Sequence, residues 1–166
     1  MKTSLRLQVL AFTATRIVLN TMYRMVYPYL AFFSVGLGVD QATLSLAITA
    51  RAVFGVAGPF VASVADQRGR KAGMLFGLLL FTAGAGLVVV WPTFPAFLLA
   101  LVLTQLGKYA FDPAMQAYLG DRVPYERRGR VLAVTELGWS LSLVIGVLAM
   151  GLLIAKYGWK APFPVL

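Results

Sequence analysis

Long apolar runs alternate with short polar connections along most of this sequence. Each run is close to the ~20 residues of α-helix that cross the hydrocarbon core of a bilayer. The pattern predicts five membrane-spanning helices, over residues 7–33, 43–65, 72–91, 96–119 and 131–155. A sixth apolar run begins at Pro162 and reaches only Leu166. We therefore predict an all-α membrane protein with five complete transmembrane helices and the start of a sixth.

The amino-acid composition indicates that lipid is the main solvent of this chain. Apolar residues make up 60% of the sequence, charged residues make up 13%, and the mean hydropathy is +0.80. Soluble domains contain about 45–50% apolar residues. The sequence contains no Cys and no His, two residue types that commonly bind transition metals. We expect neither a metal site nor a cofactor.

Cations dominate the connections between the apolar runs, and the net charge of the chain is +9. They fall at the N-terminus and in every second connection: Lys2 and Arg6, then Arg68, Arg70 and Lys71, then Arg122, Arg127, Arg128 and Arg130. The connections at 36–41 and 92–95 carry no cation. Under the positive-inside rule this alternation predicts a cytoplasmic N-terminus, in the plasma (inner) membrane. Because the cations form no polar basic domain, we expect no nucleic-acid partner.

Polar residues also fall inside the spans, on one face of each helix. A cation at the centre of a span costs about 2.5–3.5 kcal/mol on insertion scales, so these side chains are expected to face protein or water. In the first span, Thr13 and Tyr27 belong to a polar stripe about 100° wide at 3.6 residues per turn. The predicted substrate cavity comprises Arg16, Asn20, Tyr23, Arg24, Arg51, Gln105, Lys108, Asp112 and Gln116. The alternative is that these charges form structural ion pairs inside the bundle.

The charges of this cavity suggest two hypotheses about its chemistry. Its cations outnumber Asp112 by four to one, which favours an anionic solute, although carboxylates from other helices could neutralise them. Asp112 and Glu136 are the acids within the spans. Burial raises the pKa of a carboxyl group, so these two are candidate proton sites, with the proton as coupling ion.

Two connections carry a family resemblance. Residues 62–71 read Ala-Ser-Val-Ala-Asp-Gln-Arg-Gly-Arg-Lys, which resembles the signature between helices two and three of the major facilitator superfamily. Ala62 replaces the leading Gly of that signature, and Gln67 replaces a common Arg. Residues 112–130 and the later Gly158-Trp159-Lys160 resemble the helix-four to helix-six region in order and spacing. The chain is thus similar to the N-terminal half of such a transporter, truncated in helix six.

The resemblance implies a role for the connection at 66–71. It implies a conformational latch formed by Asp66, Gly69, Arg70, Lys71 and Asp121, in which Asp66 contacts the C-terminal half. It also implies the function: part of a secondary active transporter that moves a small solute across the lipid bilayer by alternating access. We expect its partner to be the missing C-terminal half of a longer protein, or else a second copy of the chain.

Alternative functions remain open. One is a non-transporting membrane fragment or adaptor. Another is half of a multidrug efflux antiporter. The sequence argues against this interpretation, because Gly146-Val147 stands where such antiporters have Gly-Pro. The Arg that the family places early in helix four would fall near Leu101 and is missing, so Lys108 is a candidate replacement. An enzyme is not expected, because the sequence offers neither clustered acids nor His at headgroup level.

Overall fold

The computed structural model describes residues 3–166, so Lys2 of the predicted cytoplasmic N-terminus lies outside the described residues. Within that range the secondary structure is helical, without strands. The α-helices are α1 (Thr3–Met25), α2 (Leu30–Leu37), α3 (Gln41–Phe54), α4 (Gly58–Ala62), α5 (Val64–Arg68), α6 (Arg70–Val90), α7 (Phe94–Arg122), α8 (Tyr125–Leu141) and α9 (Leu148–Tyr157).

Four helical stretches in residues 3–166 are long and apolar enough to cross a membrane. They are Gln41–Arg68, Arg70–Val90, Phe94–Arg122 and Tyr125–Tyr157. The prediction of an all-α membrane protein is therefore confirmed. Helix α1 is 23 residues long but is not among the four, because polar residues such as Arg16 and Asn20 lower its hydropathy. The count of five complete spans plus a sixth start stays a prediction.

The helix predicted to run continuously over 7–33 is interrupted at residues 26–29, between α1 and α2. Pro28 accounts for the break, because its ring lacks an N–H and disfavours helical backbone at the preceding residue. The Tyr27 N–H donates a hydrogen bond to the Arg24 carbonyl at 3.3 Å, which forms a turn at the end of α1.

Asp40 caps the start of α3 by accepting a hydrogen bond from the Thr43 N–H at 2.9 Å. This bonding to Thr43 lowers the pKa of the Asp40 carboxyl group.

The regular α-helix of the second predicted span is interrupted where α3 gives way to a 3₁₀ turn, Gly55–Ala57, and then to α4 and α5. Pro59 begins the new helix, where its missing N–H has no helical partner to lose. Gly55 and Gly58 lie against the ring of Tyr109 on α7; a Cβ at Gly58 would come within 2.6 Å of that ring. The missing side chains of these two glycines therefore let the backbone of this span lie close to α7.

Helix α7 is the centre of the bundle, and α6 packs along it as its principal neighbour. The two backbones meet at Gly77 and Gly107, where a Cβ on Gly77 would lie 2.6 Å from the Gly107 carbonyl oxygen. Buried Phe81, Phe111 and Met115 fill the core around this contact.

Helices α8 and α9 form one continuous rod, because a π-helical segment, Ser142–Val147, joins them. This rod runs parallel to α1, with Thr13 near Val134 and Tyr29 near Val147. The Tyr29 hydroxyl donates to the Val147 carbonyl at 2.9 Å. Beyond α9 the chain forms turns over residues 159–165, and Trp159 and Phe163 pack on Phe33 and Phe97.

Candidate functional site

Arg16 brings the polar faces of α1, α7 and α8 together. Its side chain is 5% exposed, and its guanidinium donates two hydrogen bonds to Glu136, Nη1 to Oε1 at 2.5 Å and Nη2 to Oε2 at 3.1 Å. On the other side, Nε lies 3.3 Å from Asp112 Oδ1. This last contact is an ion pair without hydrogen-bond alignment. The fork of Arg16 suits the two-oxygen geometry of a carboxylate.

Asp112 also accepts a hydrogen bond from Lys108, one turn earlier on α7. Arg16, Lys108, Asp112 and Glu136 thus form a group of two cations and two anions, which we call the charge cluster. The charge count made from the sequence set four cations against Asp112 and did not include Glu136. With Glu136 included, the charge cluster is neutral, and its contacts are the ion pairs that the alternative interpretation of the sequence described.

The two other intramembrane cations lie on aromatic rings, in what we call the cation–aromatic group. Arg24 Cζ lies 3.6 Å from the ring centroid of Trp139, and Nη1 donates to the Trp139 carbonyl at 3.3 Å. Arg51 Cζ lies 4.5 Å from the Tyr23 ring and 5.5 Å from the Tyr27 ring. Arg51 is buried and donates to the Tyr27 hydroxyl at 2.9 Å. Among residues 3–166 neither arginine has a carboxylate partner.

Two buried amides near these charges keep polar atoms that the protein does not satisfy. Asn20 is fully buried, and both its Nδ2 and its Oδ1 lack a hydrogen-bond partner in the described residues. Gln105 donates from Nε2 to the Tyr109 hydroxyl at 2.7 Å, while its Oε1 is unpaired. An unsatisfied buried polar group costs about 1–3 kcal/mol, so these amides are suited to bind water or a polar solute.

Not every predicted cavity residue belongs to this arrangement. Gln116, one turn beyond Asp112 on α7, is exposed and outside both groups. Trp139, which the sequence reasoning missed, joins them: its ring carries Arg24 and lies 5.8 Å from Lys108 Nζ. Its spacing in the sequence could have indicated this position, because Trp139 follows Glu136 by three residues and so lies on the same face of α8.

The predicted latch residues lie at the end of the bundle where α5 meets α6. Gly69 makes the tight turn with φ of +91°, a conformation that side-chain-bearing residues rarely adopt. Arg70 Nη1 then bonds Asp66 Oδ1 at 2.5 Å, and its Nε lies 3.6 Å from Asp121 Oδ2. Arg70 therefore links the end of α5 to the end of α7, while Lys71 is exposed.

Residues 3–166 contain no group of three or more acids arranged to hold a metal ion. The fold and the polar groups define the class: a helical integral membrane protein with ionised side chains buried inside its bundle. The sequence profile of the Major Facilitator Superfamily matches residues 12–166. The chain belongs to that family, as the resemblance of residues 62–71 indicated.

Several curated relatives are named as transporters. An uncharacterized MFS-type transporter of Bacillus subtilis, YwfA, is 33% identical over 66% of this chain and 26% of its own length. The chloramphenicol resistance protein of Streptomyces lividans is 30% identical over 76% of this chain and 33% of its own length. The chain thus spans about a quarter to a third of these relatives.

A solved structure shows the same fold. The crystal structure of the POT family transporter PepTSo matches 95% of this chain and 34% of its own chain, with a TM-score of 0.77. The sequence identity is 16%, so this likeness describes the arrangement of the helices and not the solute.

Proposed function

We propose that this chain forms one half of a secondary active transporter for a small solute. The main observation in support of this proposal is that ionised and aromatic side chains from α1, α3, α7 and α8 gather on one wall of the bundle. Alternating access moves one half of such a transporter against the other around a site near the bilayer midplane. The second half is either the remainder of a longer protein or a second copy of this chain.

We also propose that the solute is anionic. The support is the two arginines that have no carboxylate partner in the described residues, rather than the total number of cations. The charge cluster neutralises Arg16 and Lys108 internally. Arg24 and Arg51 lie on aromatic faces instead, and such faces attract a cation without cancelling its charge. These two arginines are the cations that would interact with a carboxylate or phosphate of the solute, Arg24 being partly exposed and Arg51 buried.

Proton coupling is proposed at the charge cluster. Half of the Glu136 side chain is exposed, so a proton can reach it from the cavity, whereas Asp112 is held between two cations. A proton on Glu136 would remove one of the two carboxylates that hold Arg16. Helix α1 would then be freer to move relative to α8, which is the kind of step that alternating access needs.

The latch and the membrane orientation belong to the same proposal. Asp66 is mostly exposed although it bonds Arg70, so its second carboxylate oxygen is available to the N-terminus of a helix in the other half. The N-terminus and the connections after α5 and α7 would face the cytoplasm, with the protein in the plasma (inner) membrane.

Proteoliposomes test the proposal. The chain is reconstituted at densities that let two copies associate, and in parallel as part of a longer protein that contains it. Uptake of labelled small organic anions is measured against neutral and cationic solutes, with and without a pH gradient. We expect anion uptake that Arg24→Gln and Arg51→Gln each lower about tenfold or more, the scale of a lost charge-assisted contact. The matched control is Arg122→Gln, which removes an arginine stacked on Tyr118 at 3.7 Å, away from the cavity wall.

The other outcomes are informative. Uptake restricted to cations would refute the anionic solute, and an unchanged pH-driven accumulation in Glu136→Gln/Asp112→Asn would refute proton coupling at these acids. If no solute enters either with the chain alone or with a longer protein that contains it, the non-transporting alternative is favoured. Half of a multidrug efflux antiporter is the second candidate, supported by similarity to a protein named for chloramphenicol resistance, and it requires export of drugs rather than uptake of anions.

A further inference from the structure

A groove opens between the N-terminal ends of α1 and α8, away from the charge cluster. Its volume is about 610 Å³, within the ~300–1,000 Å³ range of ligand pockets. Three arginines line it, Arg6, Arg127 and Arg130, and aliphatic side chains such as Val9, Leu10 and Val134 form the rest of its surface. The groove therefore joins a cationic part to an apolar part.

The spacing of these residues gives each helix a single lining face. On α1 the lining positions are 6, 9 and 10, and on α8 they are 127, 130, 131 and 134, which is the i, i+3, i+4, i+7 pattern of one helical face. The helices touch farther along, where Thr13 Oγ1 donates to the Val134 carbonyl at 3.4 Å. Gly138 then lies directly against Arg16. The groove is closed at that end and open toward the helix starts.

The three arginines are available to a ligand. All are exposed, and none is among the ion pairs found within residues 3–166. Their neighbour Arg128 differs, because its Nε already donates to the Val123 carbonyl at 3.0 Å. Glu126 is exposed in the same turn but does not line the groove. The groove thus holds a concentrated positive charge at the mouth of an apolar cleft.

We propose that this groove binds one anionic phospholipid of the cytoplasmic leaflet. The phosphate would lie between Arg127, Arg130 and Arg6, and the start of an acyl chain would follow Val9, Leu10 and Val134 toward Thr13. A ligand that is anionic at one end and apolar at the other matches both parts of the groove. Basic pockets between membrane helices on the cytoplasmic side bind such headgroups. The site rests on the membrane orientation proposed above, but it does not require that the chain transports a solute.

Native mass spectrometry of the purified 166-residue chain tests the lipid site. The chain is released from micelles that contain equal amounts of phosphatidylglycerol and phosphatidylcholine. We expect one retained phosphatidylglycerol, favoured over phosphatidylcholine. Each juxtamembrane arginine contributes roughly fivefold in affinity, so Arg127→Gln/Arg130→Gln should lower retention by about 25-fold. The control Arg68→Gln/Lys71→Gln removes two cations from the other basic connection and should retain the lipid. Circular dichroism establishes that each variant is folded.

A second variant tests the apolar part. Val134→Trp fills the groove while leaving all three arginines, and it should lower retention of phosphatidylglycerol about fivefold or more. Equal loss in the Arg68→Gln/Lys71→Gln control would overturn the site in favour of a diffuse basic surface. Unchanged retention in Val134→Trp, or competition by millimolar glycerol phosphate as strong as by the lipid, would overturn it in favour of a simple anion site.

Discussion

At the scale of single residues, Asp112 and Glu136 contribute unequally to the charge cluster although both contact Arg16. The Asp112 side chain is 16% exposed and also binds Lys108, whereas that of Glu136 is 51% exposed. We predict that Asp112→Asn lowers the free energy of unfolding by about 3 kcal/mol, because Lys108 loses its partner while buried. Glu136→Gln should cost under about 1 kcal/mol, since water screens this carboxylate and Arg16 keeps Asp112.

The measurement is the unfolding of each variant in mixed micelles of dodecyl maltoside and dodecyl sulphate, followed by loss of helical circular dichroism. Asp66→Asn, which removes a mostly exposed acid elsewhere, is the control and should behave like Glu136→Gln. A cost for Glu136→Gln equal to that of Asp112→Asn would show that Arg16 depends on both carboxylates equally.

At the scale of elements, the contact between α1 and the π-helical segment depends on the absence of a side chain at Gly146. A Cβ at that position would overlap the Thr21 hydroxyl, which itself donates to the Ile17 carbonyl at 2.7 Å. We predict that Gly146→Ala lowers the free energy of unfolding by about 1–3 kcal/mol, the usual cost of overpacking. The same micelle titration measures it.

Two variants make this element-scale prediction specific. Gly86→Ala is the matched control: this glycine also lies inside a helix, α6, but a Cβ there meets nothing within 4 Å. It should be neutral or stabilising by up to about 1 kcal/mol, from helix propensity alone. Thr21→Ala should restore part of the stability of Gly146→Ala, because it removes the overlapping hydroxyl but leaves the Thr21 Cβ at 2.9 Å from the added methyl group. Failure of that rescue would place the strain somewhere other than the contact with Thr21.

The helices were predictable from the sequence where length and hydropathy decide, and their interruptions were predictable only in part. Pro28 and Pro59 stand at breaks that residue type alone can indicate. The π-helical segment has no comparable signal in residue type, and its Gly146 lies directly against Thr21 of α1. The spacing of Arg16 and Asp112 predicted two polar faces. Their pairing with Glu136, and the stacking of Arg24 on Trp139, depend on the rotation of α8, which a single sequence does not reveal.

At the scale of the whole molecule, the question is how α1 and α2 lie relative to the membrane. Helix α1 is less apolar than the four clear spans, yet Arg16 is buried against Asp112 of α7 and Glu136 of α8, and Asn20 is fully buried, so neither meets lipid. Contacts within the protein therefore offset the free energy of placing these polar side chains in the membrane. Because α1 also runs parallel to α8 through the bundle, we expect α1 and α2 together to cross the membrane as a first span.

Single cysteines decide this topology, because the chain has no cysteine of its own. We predict that Thr3→Cys, Gln67→Cys and Glu126→Cys react with a membrane-impermeant maleimide only from the cytoplasmic side. Gln41→Cys and Thr93→Cys should react only from the opposite side, as the distribution of cations requires. The two sides are separated by labelling intact cells and inverted vesicles. If Thr3→Cys and Gln41→Cys react from the same side, α1 and α2 do not form a span, and the polar wall of α1, α3, α7 and α8 would not be built from four membrane-spanning segments.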